Sequence, residues 1–318
     1  MGPTRILITG VSGFVGAHLV DRIAADGRLA LGLGEAPAPA ALQARLAGEW
    51  IADVREPEAL ADALAAAQPD AIVHLAGQSS AAFSFDHPVE TYRVNTQGTW
   101  NLLEAVRRAV PQARVLVVGT SEVYGPQPEG SRVAEDAPFR PVSPYALSKA
   151  AADAGAEAYA RVFGLDVART RSFAHIGPGQ TDRFVVPTVA RQIAEIEAGR
   201  LEPVVRVGNL MVTRDLTDVR DVVAAYLALL ERGRTGTAYN VCRGEGMPLA
   251  AVVGRLCEQA RLPVRIEVDP ARVRPADVPY LVGDPTRMRR DTGWSPVRSL
   301  DQTLGDVLEE WRARADTG

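Results

Sequence analysis

The sequence is poor in the residues that mark metal-binding and disulfide-rich proteins. It has two cysteines and four histidines among 318 residues. Cys242 and Cys257 show no metal-ligand spacing, so we predict no metal site. Cys257 falls within an apolar helical pattern, and both thiols are expected to be buried packing groups.

The chain also lacks an excess of positive charge and any long hydrophobic run. Basic residues number 35 and acidic residues 39, a formal net charge of −4, so nucleic acid is not expected as a partner. The longest apolar stretches, residues 115–118 and 222–230, are much shorter than the roughly 20 residues of a membrane span. The N-terminus runs directly into the first predicted strand without space for a signal peptide, so we expect a cytoplasmic location and no membrane partner.

Short strand patterns alternate with helical patterns through the first half of the chain. The predicted strands are residues 5–9, 29–33, 49–54, 71–76, 114–119 and 165–170, and the helical patterns include residues 58–67 and 99–109. Alternation of this kind predicts an α/β fold with a doubly wound parallel sheet. Beyond Gly177, proline- and arginine-rich segments with shorter helices indicate a smaller C-terminal domain.

A glycine-rich turn lies between the first predicted strand and the first predicted helix. Its three glycines suit a tight bend, a close approach of backbone amides to a pyrophosphate, and close packing of helix on strand. The N-terminus of the helix that follows faces an anion favourably. We therefore predict a dinucleotide site with contacts from Gly10, Ser12, Gly13, Phe14, Val15 and Gly16.

An acidic residue stands about 20 residues further on, where such folds bind the adenosine ribose. Unless Glu35 is a solvated loop residue, its carboxylate accepts from a free 2′-hydroxyl and repels a 2′-phosphate, which favours NAD. Arg28 or Arg45 reaching a phosphate would instead favour NADP. Further cofactor contacts are expected at Asp53 and Val54, beside the adenine, and at Leu75, Ala76 and Gly77, beside the second ribose.

A second motif combines a tyrosine and a lysine on one helix. Ser143 suits the N-cap and Pro144 the first helical position, so Tyr145 and Lys149 occupy positions i and i+4. An ammonium beside a phenol favours the phenolate, so we expect the pKa of Tyr145 to lie below its usual value of about 10. The bare spacing also occurs on solvated helix faces, but together with the glycine turn it indicates acid/base chemistry on an alcohol or a carbonyl.

These motifs resemble the extended short-chain dehydrogenase/reductase family that acts on nucleotide sugars. The segments that carry this resemblance are residues 9–16, 74–80, 119–125 and 145–149. Three later segments, residues 175–180, 207–221 and 274–284, resemble the GDP-4-dehydro-6-deoxy-D-mannose reductases, which are relatives of the GDP-mannose 4,6-dehydratases. The resemblance implies a Rossmann sheet, NAD or NADP as cofactor, and reduction of the C4 keto group of GDP-4-dehydro-6-deoxy-D-mannose to GDP-D-rhamnose or its C4 epimer.

The resemblance also implies a division of the chain and roles for individual residues. We expect a dinucleotide-binding domain over residues 1–175 with a returning segment at about 216–244, and a mainly substrate-binding domain over residues 176–318. Thr120 is expected to bind the C4 oxygen of the sugar, Tyr145 to transfer the proton, and Lys149 to hold the nicotinamide ribose. Expected substrate contacts are Gln78, Ser79, His175, Asn209, Arg214 and Arg274, with both arginines on the diphosphate.

Several residues keep other interpretations open. Glu122 fits the carboxylate by which a GDP-mannose 4,6-dehydratase, or another nucleotide-sugar dehydratase or epimerase, moves a proton. Residues 174–178 favour the reductase, although Ala174 replaces the asparagine usual in both relatives. Arg214 and Arg274 also fit ion pairs with neighbouring aspartates, and His175 a packed histidine. A nucleotide-sensing protein without catalysis is a third possibility.

Two helical segments predict self-association. Residues 89–109 and 143–163, the second lined with alanines, match helices that pair across a two-fold axis in the family. We therefore expect a homodimer.

Overall fold

The computed structural model of the protein describes residues 2–272 and 278–316. Its strands, in chain order, are β1 (Arg5–Thr9), β2 (Leu29–Gly34), β3 (Gly48–Ile51), β4 (Ala71–His74), β5 (Arg114–Thr120), β6 (Val167–Ser172), β7 (Ala174–Ile176), β8 (Val204–Val207), β9 (Thr213–Asp218), β10 (Ala238–Val241), β11 (Gly246–Pro248), β12 (Arg265–Val268) and β13 (Tyr280–Leu281).

The helices are α1 (Phe14–Ala25), α2 (Ala40–Gln43), α3 (Pro57–Ala67), α4 (Ala81–Asp86), α5 (Pro88–Tyr92), α6 (Gly98–Ala109), α7 (Pro144–Phe163), α8 (Val185–Glu197), α9 (Val219–Arg232), α10 (Leu249–Glu258), α11 (Thr286–Thr292) and α12 (Leu300–Asp316). A π-helical turn, Arg93–Gln97, joins α5 to α6, and short 3₁₀ turns lie at Ser121–Tyr124 and Pro270–Arg272. Among the described residues, no helix has the length and apolarity needed to cross a bilayer.

The central sheet has seven strands in the order β10-β6-β5-β4-β1-β2-β3. Every neighbouring pair is parallel, and helices cover both faces. In β1, Ile6 and Ile8 pack in the core that includes α1 and α9, whereas Leu7 packs in the core that includes α3 and α6. This arrangement confirms the predicted α/β fold with a doubly wound Rossmann sheet.

Two predicted strands end earlier than expected. β3 ends at Ile51, and Asp53 forms a turn in which its Oδ1 accepts from the Arg55 amide at 2.8 Å. β4 ends at His74, because the Ala76 amide donates to Thr9 Oγ1 at 3.1 Å and leaves the strand ladder. In both places a side-chain oxygen competes for the backbone amide.

The C-terminal part builds a separate core over α8, α10 and α12. Leu304, Val307 and Leu308 of α12 are buried there against Val189 and Ile193 of α8. β9 pairs with β7, β11 and β13, and β12 pairs with β8. β10 returns to the central sheet beside β6, while the exact division into domains stays a prediction.

The two cysteines lie in different cores. Cys242 is fully buried beside Phe173, whereas Cys257 is only partly buried at the edge of the C-terminal core. The expectation of two buried thiols is therefore right for the first and too strong for the second.

Candidate active site

The glycine turn has the geometry that a close approach of backbone requires. Gly10 has a φ of +68°, and a Cβ there would lie 2.8 Å from the Ala76 nitrogen. A Cβ at Gly16 would lie 2.3 Å from the Val11 carbonyl oxygen. Gly13 is the N-cap of α1 and brings no capping side chain, so its position leaves the amides of the first helical turn open to a ligand. These residues, with Ser12, Phe14 and Val15 between them, fit a pyrophosphate.

A chain of buried hydrogen bonds fixes residues 75–77 beside this turn, and we call these residues the wall. His74 Nδ1 lies 2.8 Å from Thr9 Oγ1, and His74 Nε2 lies 3.0 Å from Thr99 Oγ1. The Thr99 hydroxyl donates to the Asn95 carbonyl at 2.6 Å, so Nε2 carries the imidazole proton. Burial lowers the pKa of His74 to about 3, with a further contribution from the Lys149 charge. A neutral histidine therefore holds the segment that leads to Leu75, Ala76 and Gly77.

Ion pairs surround the residues that are predicted to contact the adenosine. Glu35 is exposed immediately after β2. Asp53 binds the Arg55 guanidinium at 2.6 Å, and this hydrogen bond lowers the pKa of Asp53. Arg55 also bonds Glu90 at 2.7 Å. Asp53 and Val54 stand after β3, at the same edge of the sheet as Glu35.

The two other arginines considered for a phosphate are engaged elsewhere. Arg28 pairs with Glu231, and Arg45 pairs with Asp21. Neither ion pair includes a residue of the predicted cofactor site.

The start of α7 follows its sequence signals closely. The Ser143 hydroxyl accepts from the Ala146 amide at 3.0 Å, and Pro144 occupies the first helical turn. The Tyr145 amide donates to Ser84 Oγ at 3.0 Å. Two of the amides that a helix start leaves open are thereby satisfied, which fixes the position of Tyr145.

The four predicted catalytic residues converge at the carboxyl ends of β4 and β5. The Thr120 hydroxyl and the Glu122 carboxylate both lie near the Tyr145 phenol, where Thr120 lowers the pKa of the phenol and the negative charge of Glu122 raises it. Lys149 Nζ donates to the Val118 carbonyl at 2.9 Å. A Cβ at Gly77 would lie 3.6 Å from Lys149 Nζ, so the lysine borders the predicted ribose position.

The titration behaviour of the pair differs from the sequence-based expectation. Burial raises the pKa of Tyr145, and the negative charge of Glu122 raises it further, whereas Thr120 lowers it to a smaller extent. Burial lowers the pKa of Lys149 to about 8. The expected lowering of the Tyr145 pKa is therefore wrong for this structure, because burial and the charge of Glu122 outweigh the lowering by Thr120.

Asn95 is a site residue that the sequence analysis missed. Its side chain accepts from the Gln78 amide at 2.8 Å and donates to the Gln78 carbonyl and to Ser148 Oγ, both at 3.0 Å. It therefore links the wall at Gly77 to the helix that carries Tyr145 and Lys149. The available signal was a polar residue within a helical pattern, but only the π-helical turn directs it inward.

Three of the predicted substrate residues lie after β4 or in β7. Gln78 is partly buried and Ser79 is exposed, and within the described part of the chain Gln78 Oε1 has no hydrogen-bond partner. His175 lies in β7 and stacks on Phe14 with an interplanar angle of 13° at 6.2 Å. Ala174, beside it, is exposed.

Two further predicted substrate contacts lie in the C-terminal part, Asn209 in the loop after β8 and Arg214, predicted for the diphosphate, in β9. Asn209 Oδ1 accepts from the Met211 amide at 2.9 Å, and Arg214 donates to the Val278 carbonyl at 2.6 Å. Asp215 is buried and accepts from the amides of Arg243, Gly244 and Gly283. Burial nevertheless raises its pKa to about 6.

The remaining predicted diphosphate contact, Arg274, lies outside the described residues.

Comparison with known proteins identifies the family. A family model described as GDP-mannose 4,6 dehydratase matches residues 7–307. The chain belongs to this family. It is 37% identical to GDP-6-deoxy-D-mannose reductase of Pseudomonas aeruginosa, over 98% of each chain.

Solved structures agree with this family assignment. RMD from Pseudomonas aeruginosa, complexed with NADPH, has a TM-score of 0.87 and 35% identity, with 98% of this chain and 100% of that chain covered. UDP-glucose 4-epimerase of Thermus thermophilus, in complex with NAD, has a TM-score of 0.86 and 29% identity, with 97% and 99% covered.

The family assignment confirms two predictions from the sequence. The resemblance to nucleotide-sugar enzymes related to GDP-4-dehydro-6-deoxy-D-mannose reductase is right, and so is the prediction of an enzyme that uses a nicotinamide cofactor. The glycine turn of this member of the GDP-mannose 4,6 dehydratase family fits that cofactor.

Proposed function

We propose that the chain reduces the C4 keto group of GDP-4-dehydro-6-deoxy-D-mannose, giving GDP-D-rhamnose or its C4 epimer. The observation that carries this proposal is the convergence of Thr120, Tyr145 and Lys149 on one site, next to a glycine turn that fits a dinucleotide. The similarity to a GDP-6-deoxy-D-mannose reductase over nearly the whole chain supports the choice of substrate.

The charge state of the site suits the reductive direction. Because the pKa of Tyr145 is raised, its phenol stays protonated near neutral pH and is ready to donate to a carbonyl oxygen. The Thr120 hydroxyl donates to the same carbonyl oxygen and stabilises the negative charge that develops on it. When bound, a reduced nicotinamide supplies the hydride to C4. Lys149 borders the wall at Gly77, where it holds the ribose.

An assay with the keto sugar tests the reductase proposal. Incubation with GDP-4-keto-6-deoxymannose and NADH or NADPH should oxidise the cofactor, and the absorbance of the reduced cofactor measures this oxidation. Tyr145→Phe should lower kcat by about 10²–10⁴-fold, the usual contribution of an oriented acid. Tyr159→Phe is the matched control, because this partly exposed tyrosine of α7 packs against Phe163. If the cofactor is not oxidised with either nucleotide, the reductase proposal is contradicted.

For the cofactor, we propose a preference for NADH over NADPH. The exposed Glu35 carboxylate follows β2, and it would repel a 2′-phosphate. Arg28 and Arg45 are paired with other carboxylates. The wild-type chain should bind NADH more tightly, and Glu35→Ser should narrow the difference between the two dissociation constants. Tighter binding of NADPH by the wild-type chain overturns this preference.

A dehydratase is the second candidate, and the position of Glu122 favours it. Its negative charge lies close enough to raise the pKa of Tyr145, so an acid and a base are available at the same site. This function predicts loss of water from GDP-mannose without net cofactor oxidation. Glu122→Gln should then abolish dehydration, whereas a reductase should keep most of its turnover. Unchanged turnover of the keto sugar by Glu122→Gln, without activity on GDP-mannose, excludes the dehydratase.

We also propose a homodimer through α5, α6 and α7. Their outer surface exposes a set of apolar side chains, namely Val89, Trp100, Leu147, Val162 and Phe163. An apolar surface of this kind marks an interaction site in a soluble protein.

A further inference from the structure

The loop between β7 and α8 forms a contact with the dinucleotide turn. We call residues 177–180 the strap. The Pro178 carbonyl accepts from His18 Nε2 at 2.7 Å, which assigns the imidazole proton to Nε2. A Cβ at Gly179 would lie 3.8 Å from the Phe14 ring and 4.0 Å from His18 Nε2. Phe14 and His18 are one turn apart on α1, so the strap covers one face of the first turn of that helix.

The strap is held from the opposite side by the C-terminal helix. Glu310 Oε2 in α12 accepts from the Gly179 amide at 2.7 Å, across 131 residues of sequence. Gly179 has a φ of +87°, a conformation that suits glycine. Arg314, one turn further along α12, bonds the other carboxylate oxygen of Glu310 at 2.6 Å.

Next to this bond lies a buried side-chain amide. Gln180 is 6% exposed, and its Nε2 donates to the His175 carbonyl at 3.2 Å. The strap is therefore held at three points, by His18 of α1, by His175 of β7 and by Glu310 of α12. His175 in turn stacks on Phe14.

We propose that Glu310 and His18 are positioning residues that hold the strap on the first turn of α1 and so set the affinity for the dinucleotide. The amides of that turn face the pyrophosphate in this fold. Fixing Phe14 and His18 before the ligand arrives lowers the ordering cost of binding. The inference rests on the nicotinamide cofactor of the family and not on the identity of the sugar.

Three variants of α12 separate the hydrogen bond from the ion pair. Glu310→Ala removes the acceptor, and Glu310→Gln keeps an acceptor oxygen but loses the charge. Arg314→Gln keeps Glu310 and removes its ion pair, together with the contact of the guanidinium with the Trp311 ring. Two quantities are measured without any sugar: the dissociation constant for NADH by fluorescence, and hydrogen exchange of the strap amides in the cofactor-free protein.

Glu310→Ala should weaken NADH binding about tenfold, about 1.4 kcal/mol, and speed exchange at the Gly179 amide. Glu310→Gln and Arg314→Gln should stay within about threefold of the wild-type affinity. His18→Leu, which removes the donor on α1, should weaken binding like Glu310→Ala.

Wild-type affinity and exchange in Glu310→Ala overturn the proposal. A loss of affinity in Arg314→Gln equal to that in Glu310→Ala overturns it as well, because the ion pair would then be responsible. If the wild-type chain itself binds neither nicotinamide nucleotide, the cofactor that both proposals assume is wrong, and the reductase proposal is overturned together with the strap. If the chain reduces the keto sugar and its affinity for NADH does not depend on Glu310, only the proposal about the strap is contradicted.

Discussion

At the scale of single residues, the active site depends on burial more than on the tyrosine–lysine spacing. The sequence places Tyr145 and Lys149 one turn apart, and α7 keeps them there. In the structure, however, Lys149 Nζ bonds the Val118 carbonyl, while Tyr145 faces Thr120 and Glu122. The spacing identifies the residues, but their titration follows from the surrounding elements.

The lowered pKa of Lys149 predicts the alkaline limb of the pH profile. Lys149 loses its charge as the pH rises through about 8, whereas the raised pKa of Tyr145 keeps the phenol protonated over that range. Reduction needs both groups protonated, so kcat/KM should fall above about pH 8, and this ratio reports the free enzyme.

The limb can be assigned by substitution at Lys149. In Lys149→Arg the guanidinium stays charged, so the remaining activity should lose the fall near pH 8. A wild-type kcat/KM that stays level well above that pH contradicts the assignment, as does an unchanged limb in Lys149→Arg.

At the scale of elements, α7 is fixed to the sheet by a buried carboxylate. Asp153, two turns after Tyr145, pairs with Arg169 and with Arg171 of β6, the latter at 3.2 Å. The Arg171 guanidinium also donates to the Tyr124 phenol at 3.0 Å and lies 4.5 Å from the Phe139 ring centroid. These contacts connect the catalytic helix with β6 and with the segment after β5.

Removing this carboxylate should cost much of the stability. Asp153→Ala removes the carboxylate that two buried guanidinium groups share and leaves Arg169 only its pair with the half-exposed Glu157, so the free energy of unfolding should fall by about 3–5 kcal/mol. Arg255→Gln breaks an exposed pair with Asp301 at 3.0 Å and should change it by less than about 1 kcal/mol. Urea denaturation of both variants measures the difference. Equal stability of the two variants would show that α7 does not depend on Asp153.

At the scale of the whole molecule, the apolar outer surface of α5, α6 and α7 predicts a dimer. Val162 is 64% exposed on α7. The same helix carries Tyr145 and Lys149, so association would stiffen the element that holds the catalytic pair.

The dimer prediction is tested by a charge at this surface. Val162→Glu should convert a dimer into a monomer in light scattering, since a carboxylate is costly to bury. Val297→Glu is the matched control, because Val297 is 81% exposed but follows α11, away from these helices. A monomeric wild-type chain would refute the prediction, as would a dimer that tolerates Val162→Glu.

The sequence by itself determined the local features of this protein. The period of the apolar residues, the glycine turn and the serine–proline start of α7 depend on neighbours in the chain, and the alternating periods predicted the fold class correctly. The family was recognised correctly from the resemblance of short motif segments. The Gly10 and Gly16 positions could be recognised because only glycine permits the backbone contacts that the turn needs.

Only the tertiary structure decided the features that join distant segments. Asn95 became a link to Gln78 and Ser148 through a π-helical turn, and Glu310 reached the strap across 131 residues. The direction of the Tyr145 pKa shift likewise depended on burial by elements far away in sequence. Periodicity reports which side of an element is buried, but not which polar groups meet there, because that depends on how separate elements pack.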